Sequence, residues 1–523
     1  MNNSIKYTLL AALLIVNVSI AQISSRQVDK HVKEAMETFN VAGVAVGIVK
    51  DGKIIHSKGY GVKSIETTEP VNNHTNFAIA SNTKAFTTTS LAILVDEGKL
   101  SWNDKVVDYI PEFRMYNEYV TQNFIIKDLL THRSGLGLGA GDLMWWPAGA
   151  DFTMKDVLTN FQHFIPNSAF RTKYDYDNIL YFIAGEVIAR VGGVPWEEFV
   201  ETNIINPINM DNTYSSIVQI SDFRNVATPH STESGMIKTI SHHNYDPKKV
   251  NGAAYSIYSN VDDLCNWMLV HLNQGKYGDN LENELFSKKN HRDMWKIHTI
   301  LNADTSSRYN SHFAGYGLGW RLSDRLGNML VAHGGSMPGM LSLTVMMPDM
   351  DFGIVVLTNT ESGGSKVYMS VVNSIIDQYL GLKDFNWIGY YYDKSQKSEA
   401  KADSVTTKVW ETVVSSKNKI INNEEYIGIY EDNWFGKVEV FMNDDQLWFK
   451  SYRSPKLNGP MYYYKANAFA IKWEYQDMDG DAFAIFSLDE EGKAQSIKMK
   501  GISPNIDFSF DFQDLDLLRV EDE

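Results

Sequence analysis

The chain has 523 residues, 44% of them hydrophobic and 12% aromatic; at about 150 residues per domain this is enough for two to four packed domains and excludes a disordered chain. A formal net charge of −16 excludes a protein built to grip nucleic acid or an anionic membrane surface through its charge. The single cysteine, Cys265, excludes an internal disulfide, and its place beside Trp267 and Met268 in a helical pattern reads as packing rather than as a catalytic thiol.

Lys6 stands ahead of the apolar run Leu9–Val16, and Ser19-Ile20-Ala21 offers small residues for cleavage. Residues 1–21 therefore read as a secretory signal, which places the mature chain in the periplasm or outside the cell with no further membrane span. Gln27–Phe39 follows as a helix. VAGVAVGIVKDGKIIHSKGYG then reads as two strands joined at Lys50-Asp51-Gly52-Lys53, since Asp-Gly between apolar runs favours a hairpin.

The stretch FAIASNTKAFTTTSLAILVDEGKL puts Ser81 and Lys84 three positions apart at the start of a helix. That spacing brings both side chains onto one face, about 5–6 Å apart at Cβ, and the helix N-terminus adds partial positive charge where an oxyanion would form. A serine needs a base to attack a carbonyl, and a lysine of lowered pKa is one way to supply it. Ala85, Thr88, Ala92 and Val95, with Leu91 and Leu94 beside them, make the helix largely apolar until Gly98 stops it. Such a helix carries Lys84 into the interior, where a lysine needs a role.

Helical patterns continue to about Val200 and include Tyr176, Asp177 and Asn178 in FRTKYDYDNILYFIAGEVIARVGG. Strands are expected at Gly315–Leu322, Met329–His333, Leu341–Met347 and Gly353–Asn359, with His333, Gly334 and Gly335 between apolar runs, and then a helix near Ser365–Leu380. Helices inserted between strands of one antiparallel sheet give an α+β fold. Residues 384–420, rich in Lys and Ser, read as a polar linker or an exposed helix. From 421 to 523 short alternating strands (Lys437–Phe441, Gln446–Tyr452, Phe469–Tyr475, Ala482–Leu488) suggest a small antiparallel β-domain. Tyr462, Tyr463 and Tyr464 are expected to fill a barrel rather than line a ligand site. This domain carries none of the three clusters, so a chain ending near Leu382 is expected to react with a small ester through Ser81.

Taken in order, S-x-x-K, Y-x-N and H-G-G resemble the class C β-lactamase-like serine hydrolases, and LLTHRSGL (Leu129–Leu136) and GAAYSIYSNVDDLCNWM (Gly252–Met268) extend the resemblance across residues 28–380. The resemblance implies a β-lactamase/transpeptidase-like domain over 22–383, with an all-helical region, and likens residues 421–523 to lipocalin-like C-terminal modules. It implies Ser81 as the nucleophile of an acyl-enzyme, Lys84 as its proton partner, Tyr176 as general base and later acid, and Asn178 as the group orienting Lys84 and the substrate amide. Backbone N–H groups of Ser81 and Ser336 are the expected oxyanion hole, with His333, Gly334 and Gly335 forming the strand edge that the substrate approaches. A free phenol has a pKa near 10, so Tyr176 as base needs about 3–4 kcal/mol of stabilisation, which a Lys84 ammonium is expected to provide. From the residues alone, Tyr176 and Lys84 both remain open as the base.

His333 stands where the β-lactamases carry lysine, and Gly334 where they carry threonine. A partly charged histidine suits the carboxylate of a β-lactam less well, and the H-G-G form resembles D-aminopeptidases, D-stereospecific peptidases and esterases. The expected function is a peptidase or amidase acting on small peptides, including those with D-amino acids. The alternatives are an esterase or β-lactamase of the same family, or a non-catalytic penicillin-recognising scaffold; Ser81, Lys84, Tyr176 and Asn178 together argue against the scaffold. No cofactor, no metal and no nucleic acid is expected, only a small-molecule or peptide substrate, with oligomerisation open. His242, His243 and Asp246 read as a solvated loop rather than a metal site. His132 is expected to support its own loop, and Trp145 and Trp146 either to wall the pocket or to pack.

Overall fold

The computed structural model describes residues 23–233, 235–304 and 308–520, so the signal read over residues 1–21 lies outside the described residues. Helix α1 (Ser25–Phe39) opens on a capping box in which Ser24 and Gln27 satisfy each other's backbone donors. Strands β1 (Gly43–Lys50) and β2 (Lys53–Gly61) form the expected hairpin. Asp51 (φ 50°) and Gly52 (φ 71°) both adopt the left-handed backbone that a two-residue turn of this hand requires.

Six further strands complete an eight-stranded sheet: β3 (Thr299–Leu301), β4 (Ala314–Tyr316), β5 (Arg321–Arg325), β6 (Asn328–Met337), β7 (Met340–Met347) and β8 (Phe352–Thr358). Their order is β2-β1-β8-β7-β6-β5-β4-β3, and every pairing is antiparallel. Alternation along β1 separates its two faces. Val44, Val46 and Ile48 join α1 and α5 (Glu361–Tyr379) in one apolar layer, whereas Ala45 and Val49 belong to the large core on the opposite side. Cys265 is buried on that opposite side, where a Cβ on Gly47 of β1 would stand 2.7 Å from its Sγ, so its role is packing. The single strand expected over Gly315–Leu322 is instead a hairpin. The chain reverses between β4 and β5 at Gly319 (φ 78°), where a Cβ would meet Thr88 Oγ1 at 2.7 Å.

Between β2 and β3 the chain builds the helical region, centred on α2 (Thr83–Asp96) and α3 (Ile179–Gly192) and followed by α4 (Val261–Leu272). Residues Thr83 to Leu94 of α2 are all buried, so its first turn does run through the interior. The polar segment after α5 is one 29-residue helix, α6 (Trp387–Ser415), burying only Trp387, Ala402, Val409 and Val413.

The C-terminal eight strands close into an antiparallel barrel of consecutive neighbours: β9 (Gly428–Asp432), β10 (Gly436–Asn443), β11 (Gln446–Ser451), β12 (Asn458–Lys465), β13 (Ala468–Ile471), β14 (Ala482–Leu488), β15 (Ala494–Gly501) and β16 (Leu517–Val520). Tyr430, Phe449, Phe469 and Phe486 contribute to its packed interior. The three tyrosines of β12 do not all fill the barrel. Tyr463 meets Phe469, but Tyr462 packs against Trp410 of α6 (5.9 Å between rings) and Tyr464 against Phe483 in the small cluster that includes Val409 and Val413 of α6. Period-2 alternation sends neighbours to opposite faces, and α6 covers the outer one.

The barrel docks on the helical region. Asn160 Nδ2 donates to Trp434 O (2.8 Å), Phe164 packs against Trp434 with the rings tilted (4.8 Å), and Arg453 pairs with Asp156 (2.9 Å) while lying over Phe152 (3.8 Å). Among the described residues no single helix is long and apolar enough to cross a membrane.

Candidate active site

Ser81 lies in a 3-10 turn, Ala80–Asn82, that leads directly into α2. Ala80 has φ 48°, a left-handed conformation that costs a non-glycine residue about 1 kcal/mol or more and is found where surrounding structure enforces it. The enforcement is visible on both sides of the turn. Ile79 N donates to Ile257 O (2.9 Å), Ser342 Oγ donates to Ile79 O (2.7 Å), and Asn82 Nδ2 donates to Ser342 Oγ (2.8 Å). Strand β6 presses against the same turn at Gly335, where a Cβ would stand 2.2 Å from Ile79 O. Gly335 therefore also lets the strand come up against the nucleophile's own turn. A Cβ on Gly334 would meet nothing closer than Ser342 O at 3.6 Å.

Lys84 has none of its surface exposed. Its Nζ lies 3.1 Å from Ser81 Oγ, 2.7 Å from Asn178 Oδ1 and 3.1 Å from Ala254 O. Asn178 Oδ1 and Ala254 O can only accept, so they take two N–H bonds. The third position of the nitrogen faces Ser81, as N–H in the ammonium and as a lone pair in the amine. Burial lowers the Lys84 pKa to about 7, against the pull of the Asp142 and Asp177 carboxyls.

Tyr176 joins the pair from the other side, its ring centroid 4.9 Å from Lys84 Nζ and 4.2 Å from the ring of His132. Burial pushes its phenol well above the ordinary value, the Ser81 side chain lowers it by hydrogen bonding, and Tyr174 and Tyr181 raise it further. The lowering expected from Lys84 is not found: desolvation dominates, and the charge that lowers the phenol is that of Arg321. His132 Nδ1 accepts from Asp177 N (3.0 Å), which fixes the Tyr176–Asn178 segment, so its role is support.

His333 is also buried, with Nε2 2.9 Å from the Tyr316 hydroxyl and Nδ1 2.7 Å from Gly334 O. Burial, then Lys84 and Arg321, lower its pKa to about 3. The partial charge expected of it is therefore replaced by a neutral ring whose two nitrogens are already engaged. The positive charge near the cleft belongs to Arg321 on β5, which lies over Tyr174 (5.5 Å) and donates to its hydroxyl (2.9 Å).

Ser81, Tyr176, Asn178, His333, Gly334, Gly335 and Ser336 line one cleft of about 350 Å³, a size suited to a small ligand. Trp145 and Trp146 wall it, with Trp145 stacked on Tyr255 (4.5 Å). Asp507, Phe508 and Ser509, from the barrel, line it as well. Arg321, Tyr316, Asp142 and these barrel residues escaped the sequence reading because no local motif marks them. The loop at His242–Asp246 is not simply solvated: His243 stacks on Trp146 (5.3 Å) and burial lowers its pKa to about 3. Among the described residues no group of three or more His, Cys, Asp or Glu side chains is arranged to hold a metal ion.

Residues 28–371 match the Beta-lactamase family, and residues 421–519 match a domain of unknown function, DUF3471. The unguisins hydrolase ungD' of Aspergillus campestris is 26% identical over 402 residues, covering 73% of this chain and 71% of that protein. Protein flp of Staphylococcus aureus (strain N315) is 25% identical over 352 residues, covering 65% of this chain and 64% of its own length. Among solved structures, the octameric penicillin-binding protein homologue from Pyrococcus abyssi superposes with a TM-score of 0.60 at 19% identity, over 95% of this chain and 100% of its own. The D-stereospecific amidohydrolase from Streptomyces sp. gives 0.54 at 22% identity, over 68% and 99%. These two likenesses concern the fold. The family match from residue 28 to residue 371 takes in every strand of the main sheet and the nucleophile's turn, and the chain belongs to the Beta-lactamase family of serine hydrolases.

Proposed function

We propose that the protein is an amidase or peptidase acting on short peptides, including those with D-amino acids, through a Ser81 acyl-enzyme. The observation that carries this reading is that the cleft holding Ser81 presents a guanidinium and a carboxyl group together: Arg321 and Asp507 both line it, burial raising the pKa of Asp507. A short peptide offers a carboxylate and an amine to such a cleft, whereas the carboxylate is the one charge that all penicillins share. The unguisins hydrolase and the D-stereospecific amidohydrolase, by name, act in the same chemical territory.

In this reading the Ser81 hydroxyl passes its proton to the Lys84 amine as Oγ bonds to the substrate carbonyl carbon. The oxyanion forms against the backbone N–H groups of Ser81 and Ser336. Tyr176, kept as a phenol by burial, hands a proton to the departing amine as the C–N bond breaks and is resupplied from Lys84. Water then takes the place of the amine, and the acyl group leaves as a carboxylic acid. Export of the protein is proposed on Lys6 and the apolar run Leu9–Val16, and N-terminal sequencing of the secreted form checks it.

The test is a panel of D- and L-amino-acid amides, dipeptides, p-nitrophenyl esters and a chromogenic cephalosporin, run beside fluorophosphonate labelling of the wild type and of Ser81→Ala. Labelling lost in Ser81→Ala and fastest turnover on amides or peptides is the expected result. Turnover confined to the esters or the cephalosporin overturns the substrate reading, and labelling that persists in Ser81→Ala overturns the nucleophile.

A further inference from the structure

Asn178 is useful to Lys84 only in one orientation: its Oδ1 accepts from Nζ at 2.7 Å, so its Nδ2 must point away. Nothing in an asparagine side chain prefers one amide orientation over its reverse, so the surroundings must decide. Here Nδ2 donates to Asp142 Oδ2 at 2.8 Å. Burial raises the Asp142 pKa to about 7, against the hydrogen bonds from Trp145, Asn178 and Ser509 and the charge of Lys84, which favour the carboxylate. In that form it can only accept, and the reversed amide would set its oxygen against that oxygen and its N–H group against Lys84.

Asp142 is itself held by two further donors. Trp145 Nε1 reaches Oδ1 at 3.0 Å, and Ser509 Oγ reaches Oδ2 at 2.8 Å. Asp142 is fully buried, so each donor removed leaves part of a desolvated carboxylate without a partner. Ser509 belongs to the segment between β15 and β16 of the barrel. Two residues on, fully buried Asp511 accepts from Gly141 N (2.7 Å) and Leu143 N (2.9 Å), the residues on either side of Asp142. The barrel therefore grips both the side chain of Asp142 and the backbone that carries it. On the same segment Phe508 lies edge-on to Tyr176, 5.8 Å between rings.

We infer that Asp142 and Ser509 are positioning residues of the reaction: a hydrogen-bonded chain from the barrel, Ser509 to Asp142 to Asn178, sets the amide that holds Lys84 against Ser81. The C-terminal domain thus completes the catalytic centre. The inference rests on the acyl-enzyme reading above and deepens it. Neither residue touches the reacting atoms, so both act through Asn178.

The experiment uses the full chain and compares Ser509→Ala, Ser509→Thr and Asp142→Asn with Arg453→Ala. Arg453→Ala weakens the same domain seam at its ion pair with Asp156, outside the chain of bonds. The readouts are kcat and KM on a p-nitrophenyl ester, the rate of fluorophosphonate labelling at Ser81, and thermal melting. Ser509→Ala is expected to lower kcat and the labelling rate about tenfold with KM unchanged, and Asp142→Asn about a hundredfold, as loss of one and of several bonds to a buried carboxylate implies. Ser509→Thr, which keeps the hydroxyl, should restore the rate, and Arg453→Ala should lower the melting temperature at undiminished kcat. Wild-type kcat and labelling in folded Ser509→Ala overturn the inference, as does an equal loss of kcat in Arg453→Ala. Should Asp142→Asn fail to fold, the Ser509 pair alone decides. Absence of labelling at Ser81 in the wild type would instead strike at the acyl-enzyme reading itself.

Discussion

Lys84 reaches the interior on the first turn of α2, and its ammonium there has lost its hydration while gaining Asn178 Oδ1 and Ala254 O as partners. Burial lowers its pKa to about 7, so the amine that accepts the Ser81 proton grows in population as pH rises through that value. The kcat/KM for a small ester should accordingly rise from about pH 6 to about pH 8 and then level, with no inflection from His333, which burial keeps neutral across that window. A profile that falls over this range would count against Lys84 as base. Tyr176→Phe keeps the ring that packs on His132 but removes the proton donor, so turnover should fall by at least about a hundredfold with little change in melting temperature. Combined with Lys84→Ala it should cost little more than either change alone, since the two act as a unit. Ser81 and Lys84 were legible in the sequence because a three-residue spacing at a helix start is a local geometric fact. Asp142 and Arg321 were not, because each matters only through residues far away along the chain.

The nucleophile's turn and β6 are elements that meet at almost no distance, and glycine is what permits it. At Gly335 a methyl group would stand 2.2 Å from Ile79 O, backbone that three hydrogen bonds hold in place. Gly335→Ala should therefore displace the turn, lowering activity by at least about a hundredfold and destabilising the fold by about 1–3 kcal/mol, the usual cost of overpacking. Gly334→Ala, whose methyl would have 3.6 Å of clearance from Ser342 O, should leave the melting temperature unchanged, any loss of activity appearing in KM because the residue lines the cleft. Kinetics and thermal melts of the two variants check the contrast, and the reverse order would show that the approach has been misplaced. The H-G-G motif marked the strand, but sequence could not assign different duties to two adjacent glycines. That distinction depends on which face of β6 looks toward α2. The hairpin in place of one strand at Gly315–Leu322 has a similar origin: Gly317 and Gly319 left the period-2 pattern intact while the packing of α2 forced the reversal.

At the scale of the whole molecule, the barrel and the hydrolase domain share a buried seam rather than a tether. Asn160, Phe164 and Trp434 pack across it, and Asp507, Phe508 and Ser509 reach into the cleft. This arrangement argues against the expectation that a chain ending near Leu382 would react unaided. Such a truncation leaves the Gly141–Leu143 backbone without its Asp511 partner and exposes the apolar faces of Phe152, Phe164 and Trp146. It should be poorly soluble, or label at Ser81 at least about a hundredfold more slowly than the full chain. A soluble truncation labelled at the full-length rate would show that the barrel is dispensable.

Local pattern by itself determined a great deal: the β1–β2 hairpin from Asp-Gly, α2 from its apolar stripe and Gly98, the α+β class, and the Ser81, Lys84, Tyr176 and Asn178 set through its resemblance to known serine hydrolases. Each of these is written in residues that are close in sequence, or in motifs whose order survives divergence. Tertiary structure alone decided the protonation states and the partners. Burial turned His333 neutral and kept Tyr176 a phenol, and desolvation is a property of the surrounding shell, not of the residue. It also decided that α6 covers one face of β12, taking Tyr462 and Tyr464 out of the barrel interior, and that Ser509 closes on Asp142 across 367 positions of chain. Contacts at that separation carry no local periodicity, and only the packed fold brings them together.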